Sequence, residues 1–100
     1  MKKFIGNNVV AIISPQDRHA LEIHVVNHDR GIDVVRFAND DGTPVSVDFS
    51  DIHVRILTGD TICLGEFEEL NEIEGGFEIV GDFGIIWVQA RGYSCFALYA

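Results

Sequence analysis

Apolar residues recur at every second position through much of this 100-residue chain. Leu21, Ile23 and Val25 alternate with Glu22 and His24; Val45, Val47 and Phe49 alternate with Ser46, Asp48 and Ser50. Ile52, Val54 and Ile56 alternate with His53 and Arg55. A β-strand sends successive side chains to opposite faces, so this period describes strands with one face on a core and one in water. Further strand candidates span residues 9–14, 32–37, 77–80, 85–90 and 93–99. The last two are apolar on both faces or nearly so, which predicts a central position or a covering layer for each.

Turn signals separate these segments. Asn39-Asp40-Asp41-Gly42 reads as a hairpin turn, while Asp82-Phe83-Gly84 and Arg91-Gly92 punctuate the last three strands into a meander. Two stretches carry helix signals. Ser14-Pro15-Gln16-Asp17 fits a helix start of one turn at most. In residues 66–74, Phe67, Leu70 and Ile73 recur every three positions and Gly75-Gly76 supplies a stop, which predicts a short helix or an irregular acidic loop. No long crossover helix separates the strands, so a parallel sheet is not expected. The fold class is therefore mainly β, an antiparallel sandwich or barrel-like sheet with at most one short helix, with α+β as the alternative. Residues 1–100 read as one domain, since a chain this long buries about two-thirds of its unfolded surface.

Charge narrows the function. Between Ile56 and Ala90 stand Asp60, Glu66, Glu68, Glu69, Glu72, Glu74, Glu78 and Asp82, with no Lys or Arg among them. The chain's net charge is −9 and its pI about 4.6, with only seven scattered Lys and Arg. Phosphate binding runs on cations, so nucleic acid is not an expected partner, and an anionic membrane surface would repel the chain. The start Met1-Lys2-Lys3-Phe4-Ile5 is interrupted by Gly6-Asn7-Asn8 before it becomes a secretory leader, and the apolar runs are strand-sized. A cytoplasmic protein is expected. Cys63 and Cys95 both lie among apolar neighbours and read as buried, reduced thiols.

No motif specifies chemistry. Asp82-Phe83-Gly84 lacks the glycine-rich loop, strand lysine and catalytic loop that accompany it in kinases. Asn39-Asp40-Asp41-Gly42 lacks calcium-loop spacing. His24 and His28 would share a strand face roughly 13 Å apart, too far for one metal ion. His19 with His28, and His53 with Asp51, are pairs that only folding can bring together. No catalytic residue, metal site or cofactor is expected.

The carboxylates of Glu66, Glu68, Glu69, Glu72 and Glu74 are the candidate partner-binding residues. They suit a basic protein surface, as in an acidic inhibitor or immunity-type module. A second reading places a pocket for a cationic or apolar ligand around Trp87, Gln89, Tyr93 and Tyr99. Trp87 has the simpler reading of core packing, and the glutamates that of a solubilising surface. A small enzyme of unspecified reaction ranks third. The apolar run ending at Ala100 must be covered within its own sheet or by another subunit, which points to a homodimer.

Overall fold

The computed structural model describes residues 3–13, 15, 19–29, 31–52 and 64–98. These form eight strands: β1 (Val9–Ile13), β2 (Ala20–Asn27), β3 (Gly31–Ala38), β4 (Ser46–Ile52), β5 (Phe67–Ile73), β6 (Gly76–Gly81), β7 (Gly84–Gln89) and β8 (Gly92–Ala97). They build two antiparallel sheets packed as a sandwich, with orders β1-β2-β3-β8 and β4-β7-β6-β5. The described residues include no helix.

The alternation seen in the sequence sorts the side chains as expected. Leu21, Ile23 and Val25 on β2 and Ile86 and Val88 on β7 are fully buried between the sheets, and Phe37, Phe67, Phe83 and Ile79 join them. Tyr93 packs edge-on against Phe77 with ring centroids 5.4 Å apart and sits 5.6 Å from Phe37, closing an aromatic cluster that includes Phe4. Such tilted and edge-to-face contacts favour the ring quadrupoles.

Along one side the two sheets are stitched together. Asn8 bridges Glu66; Val9 N–H donates to the Gly65 carbonyl at 2.7 Å, and Leu64 N–H returns to the Val9 carbonyl at 2.8 Å. This gives the sandwich a barrel-like closure between β1 and the start of β5. No ladder among the described residues joins β8 to β4 on the opposite side.

In place of the short helix or irregular acidic loop expected over 66–74 stand a bridge residue, Glu66, and the edge strand β5. The three-residue spacing has a different cause. A bulge between Phe67 and Glu69 adds one residue to β5, so Phe67 and Leu70 both face the core although an odd number of positions separates them. Ile73, the third member of the series, lies on the outer side and is 41% exposed. Gly75-Gly76 is no helix stop. Ile73 pairs with Gly76 across a two-residue hairpin, where Gly75 holds a φ of +80°.

The β6–β7 hairpin turns on Asp82-Phe83, as expected of that tripeptide, with Phe83 folded back into the core. The meander stops there. Arg91 carries the chain from the second sheet to the first, and Asn39-Asp40-Asp41-Gly42 carries it from β3 to β4, again between sheets rather than around a hairpin. The two crossovers are tied by one side chain. Asn39 Oδ1 accepts the Arg91 N–H at 2.7 Å, while its Nδ2 donates to the Thr43 carbonyl and hydroxyl and the Pro44 carbonyl.

β7 is central, as its two apolar faces predict, but β8 stands at the end of its sheet with Ser94, Cys95 and Phe96 exposed. The expected burial of Cys95 therefore does not hold, because apolar content does not distinguish an edge strand from a central one. Cys63, His53, Tyr99, most of the Ser14 helix start and the strand expected beyond Ile52 lie outside the described residues.

Candidate functional site

The outer face of the β4-β7-β6-β5 sheet gathers the chemistry-bearing groups. Register places Asp48, Trp87, Glu78 and Asn71 in one row across its four strands, and Asp51, Ile85, Val80 and Glu69 in the next. Directly paired residues on antiparallel strands share a face, with Cβ atoms about 5 Å apart. The second row thus has an apolar middle and a carboxylate at each end. The first has an indole at its centre with a carboxylate on either side.

Glu78 is held firmly within this face. Trp87 Nε1–H donates to Glu78 Oε2 at 3.1 Å and Asn71 Nδ2 donates to Oε1 at 3.2 Å, so each oxygen has its own donor. Both donors are neutral, which leaves the carboxylate without a countercharge in this network. At the far end of the row, Asp48 Oδ1 accepts the Ser50 backbone N–H at 2.8 Å. Hydrogen bonds from the Ser50 side chain and then its backbone lower the Asp48 carboxyl below the usual aspartate range. None of the described residues of this sheet is Lys, Arg or His.

A second acidic group forms where β5 begins. Asp82 Oδ2 accepts the Glu66 N–H at 2.8 Å. That bond, followed by one from the Glu68 side chain, lowers the Asp82 carboxyl. The same contact with Asp82, helped by burial and by the charges of Asp82, Glu66 and Glu69, raises the Glu68 carboxyl. Two carboxyls this close share a proton most readily when one is neutral.

The five glutamates singled out from sequence are all exposed, but they do not form one surface. Glu69 belongs to the outer face, Glu66 and Glu68 gather near Asp82, Glu74 sits in the β5–β6 turn, and Glu72 pairs with Phe77 on the core side of the exposed strand. Glu68, Glu69 and Glu72 also line an edge strand, where charge deters another chain from adding to the sheet. Of the residues expected to line a pocket, Trp87, Gln89 and Tyr93 do not share a face, and Tyr99 lies outside the described residues. Trp87 and Gln89 look outward from β7, whereas Tyr93 points between the sheets into the aromatic cluster. Trp87 is likewise no core residue, being only half-buried on the solvent side of its strand.

Asp48, Asp51 and Glu78 are not among the partner-binding residues that the sequence singles out, since membership of one face depends on register. The available signal was their alternation with Val47, Ile52, Phe77 and Ile79.

Elsewhere, a cleft of about 310 Å³ lies beside the crossovers, lined by Arg36, Asn39, Asp40, Arg91, Tyr93 and Ser94 among others. Its arginines are already engaged: Arg91 Nη1 is 2.6 Å from Asp41 Oδ2, and Arg36 Nε is 3.8 Å from Glu22 Oε2. The Thr43 backbone and hydroxyl, and then Arg91, keep the Asp41 carboxyl low, so the cleft presents no uncompensated positive charge to an anion. His24 rests against Glu22 at 3.1 Å on the outer face of the other sheet, while His19 and His28 are exposed. Among the described residues no three His, Cys, Asp or Glu side chains are grouped to hold a metal ion, and no helix is long and apolar enough to cross a membrane. Comparison with protein-family models, curated proteins and solved structures finds no match to this chain.

Proposed function

We propose that this protein is a non-enzymatic binding module that docks a basic protein partner on the outer face of its β4-β7-β6-β5 sheet, in the manner of an acidic inhibitor or immunity protein. The observation that carries the proposal is the placement of Trp87. A partly exposed indole lies at the centre of a face whose margins are carboxylates and whose described residues include no cation. Protein interfaces concentrate binding energy in such central aromatic anchors, while surrounding charges set partner choice and association rate. Glu78, pinned by two donors, offers a carboxylate in a fixed position, which suits a partner's arginine or lysine beside the indole. We place this binding in a reducing, cytoplasmic setting, which suits an exposed thiol at Cys95.

The test is capture of basic proteins from a lysate of the source cells at low salt. The native protein is compared with Trp87→Ala and with an Asp48→Asn, Asp51→Asn, Glu69→Gln triple variant. A basic protein retained by the native form, lost by both variants, released by moderate salt and still retained by Glu72→Gln is the expected result. Equal retention by all forms, or loss only with Glu72→Gln, would remove the outer face from the account.

A further inference from the structure

Trp87 stands partly exposed on β7 with its one polar atom already engaged inside the protein. Its Nε1–H donates to Glu78 Oε2 at 3.1 Å, which fixes the ring and leaves only π-face and carbon edge to a ligand. Asp48 and Glu78 flank the indole in its row, their β-carbons about 10 Å apart, twice the cross-strand spacing. Neither carboxylate is neutralised. Glu78 is held by the neutral donors of Trp87 and Asn71, and Asp48 by Ser50. A carboxylate offers about four acceptor sites, so both retain unused ones. In the adjoining row, half-buried Ile85 and Val80 make an apolar strip beside the indole.

We propose that the cation this face takes is an arginine side chain of the partner. Its guanidinium stacks on Trp87 between Asp48 and Glu78, and its hydrocarbon stem lies over Ile85 and Val80. This assignment rests on the reading of the face as a dock for a basic protein, and it names the residue that anchors the docking. A guanidinium is planar, so it lies against an indole while its five donors point outward in the plane toward acceptors on both sides. Donors on its two edges, each with a hydrogen bond of about 2.9 Å, bridge oxygens about 8 Å apart, which fits the spacing of the two carboxylates. An ammonium is compact and strongly hydrated, and reaching one carboxylate draws it away from the other. Methylated ammonium ions are held by cages of several rings, whereas Trp87 is the one ring in these two rows. Long-range attraction toward a chain of net charge −9 is the same for every monovalent cation, so a preference must arise at the contact.

Two blocked peptides of equal charge, acetyl-Gly-Arg-Gly-amide and acetyl-Gly-Lys-Gly-amide, test the assignment when titrated separately into the native protein. Nitrogen–proton correlation NMR follows the binding, and the indole N–H of the single tryptophan reports from the site itself. The arginine peptide should shift that resonance and the β6 and β7 amides saturably, with a dissociation constant of roughly 1–10 mM, the scale of one side-chain contact. It should bind at least about five-fold tighter than the lysine peptide. Trp87→Leu should abolish this preference, read from the neighbouring amides. Asp48→Asn and Glu78→Gln should each weaken the arginine peptide by about three-fold or more. Dispersed amide spectra check that each variant is folded. Equal binding of the two peptides, both shifting the outer face, would overturn the arginine assignment while leaving a face for basic partners. Neither peptide shifting that face at up to about 20 mM would overturn the assignment and the docking face together.

Discussion

Leu70 and Ile73 stand three residues apart on β5 and would be equivalent in a helix, yet in the regular strand that follows the bulge an odd spacing sends them to opposite faces. Leu70 is 7% exposed and packs in the core; Ile73 is 41% exposed on the outer side. Leu70→Ala removes about three buried methylene equivalents at about 0.8 kcal/mol each, or about 2.4 kcal/mol. The space left behind brings the expected loss to about 3 kcal/mol. Ile73→Ala gives up partly hydrated surface and some strand propensity, for about 1 kcal/mol. Urea unfolding followed by the fluorescence of Trp87, the single tryptophan, reads the difference. With a denaturant slope of about 1 kcal/mol per molar, the midpoint should fall by about 3 M for Leu70→Ala and about 1 M for Ile73→Ala. Equal losses, or a larger loss at Ile73, would refute the strand phase of β5 and restore the three-residue periodicity as a real helix signal.

Gly84 has a φ of +118°, and a β-carbon there would run into the Asp51 carbonyl, whereas Gly42 at φ +81° has open space around it. Gly84→Ala should cost about 2–3 kcal/mol and lower the melting temperature by about 10–20 °C, against about 1 kcal/mol and 5–8 °C for Gly42→Ala; scanning calorimetry compares them, and equal shifts would remove the Asp51 contact from the explanation. The Glu68–Asp82 pair predicts opposite pH responses. Glu68 holds its proton more tightly folded than unfolded, so its stabilisation is complete below its ordinary value of 4.5 and is lost as pH rises through the raised one. Asp82, lowered in the fold, stabilises above its ordinary 3.8, and that contribution is lost as pH falls through the depressed value. In urea titrations from about pH 3 to pH 7, Glu68→Gln should therefore gain on the native protein toward neutrality and Asp82→Asn should fall behind it; parallel curves would show that the two carboxyls do not interact.

The strands were the legible part of this fold, because alternation at Leu21, Ile23 and Val25 or at Ile86 and Val88 follows directly from the pleat. β5 was not legible. Its extra residue converts a two-residue period into an apparent three, and only the partner strand reveals the bulge. The crossovers were hidden for another reason. Asn39-Asp40-Asp41-Gly42 has the same turn chemistry whether the chain returns to its own sheet or passes to the other, and the choice is made by packing between sheets. β8 was read as covered because Tyr93, Phe96 and Leu98 are apolar, but position within a sheet is tertiary information. The glutamates were rightly read as exposed. Their division among a face, a turn and an edge depends on register, as does the company of Trp87, for which the sequence allows both core packing and a pocket and whose N–H reaches Glu78 on the solvent side.

The two sheets are nested along the chain: β4 to β7 form one of them without interruption, and the other is completed only when β8 returns to β3. Asp33 thereby pairs with Ala97 across well over half the sequence. In an unfolded chain, closing so long a loop has an entropy cost that grows with the logarithm of its length. Once the intervening hairpins have folded, the same closure runs between ends already clasped by Asn39 at the Arg91 amide. The docking of β8 is thus conditional on the other sheet, and damage to the β6–β7 turn is transmitted to a strand with which it shares no ladder.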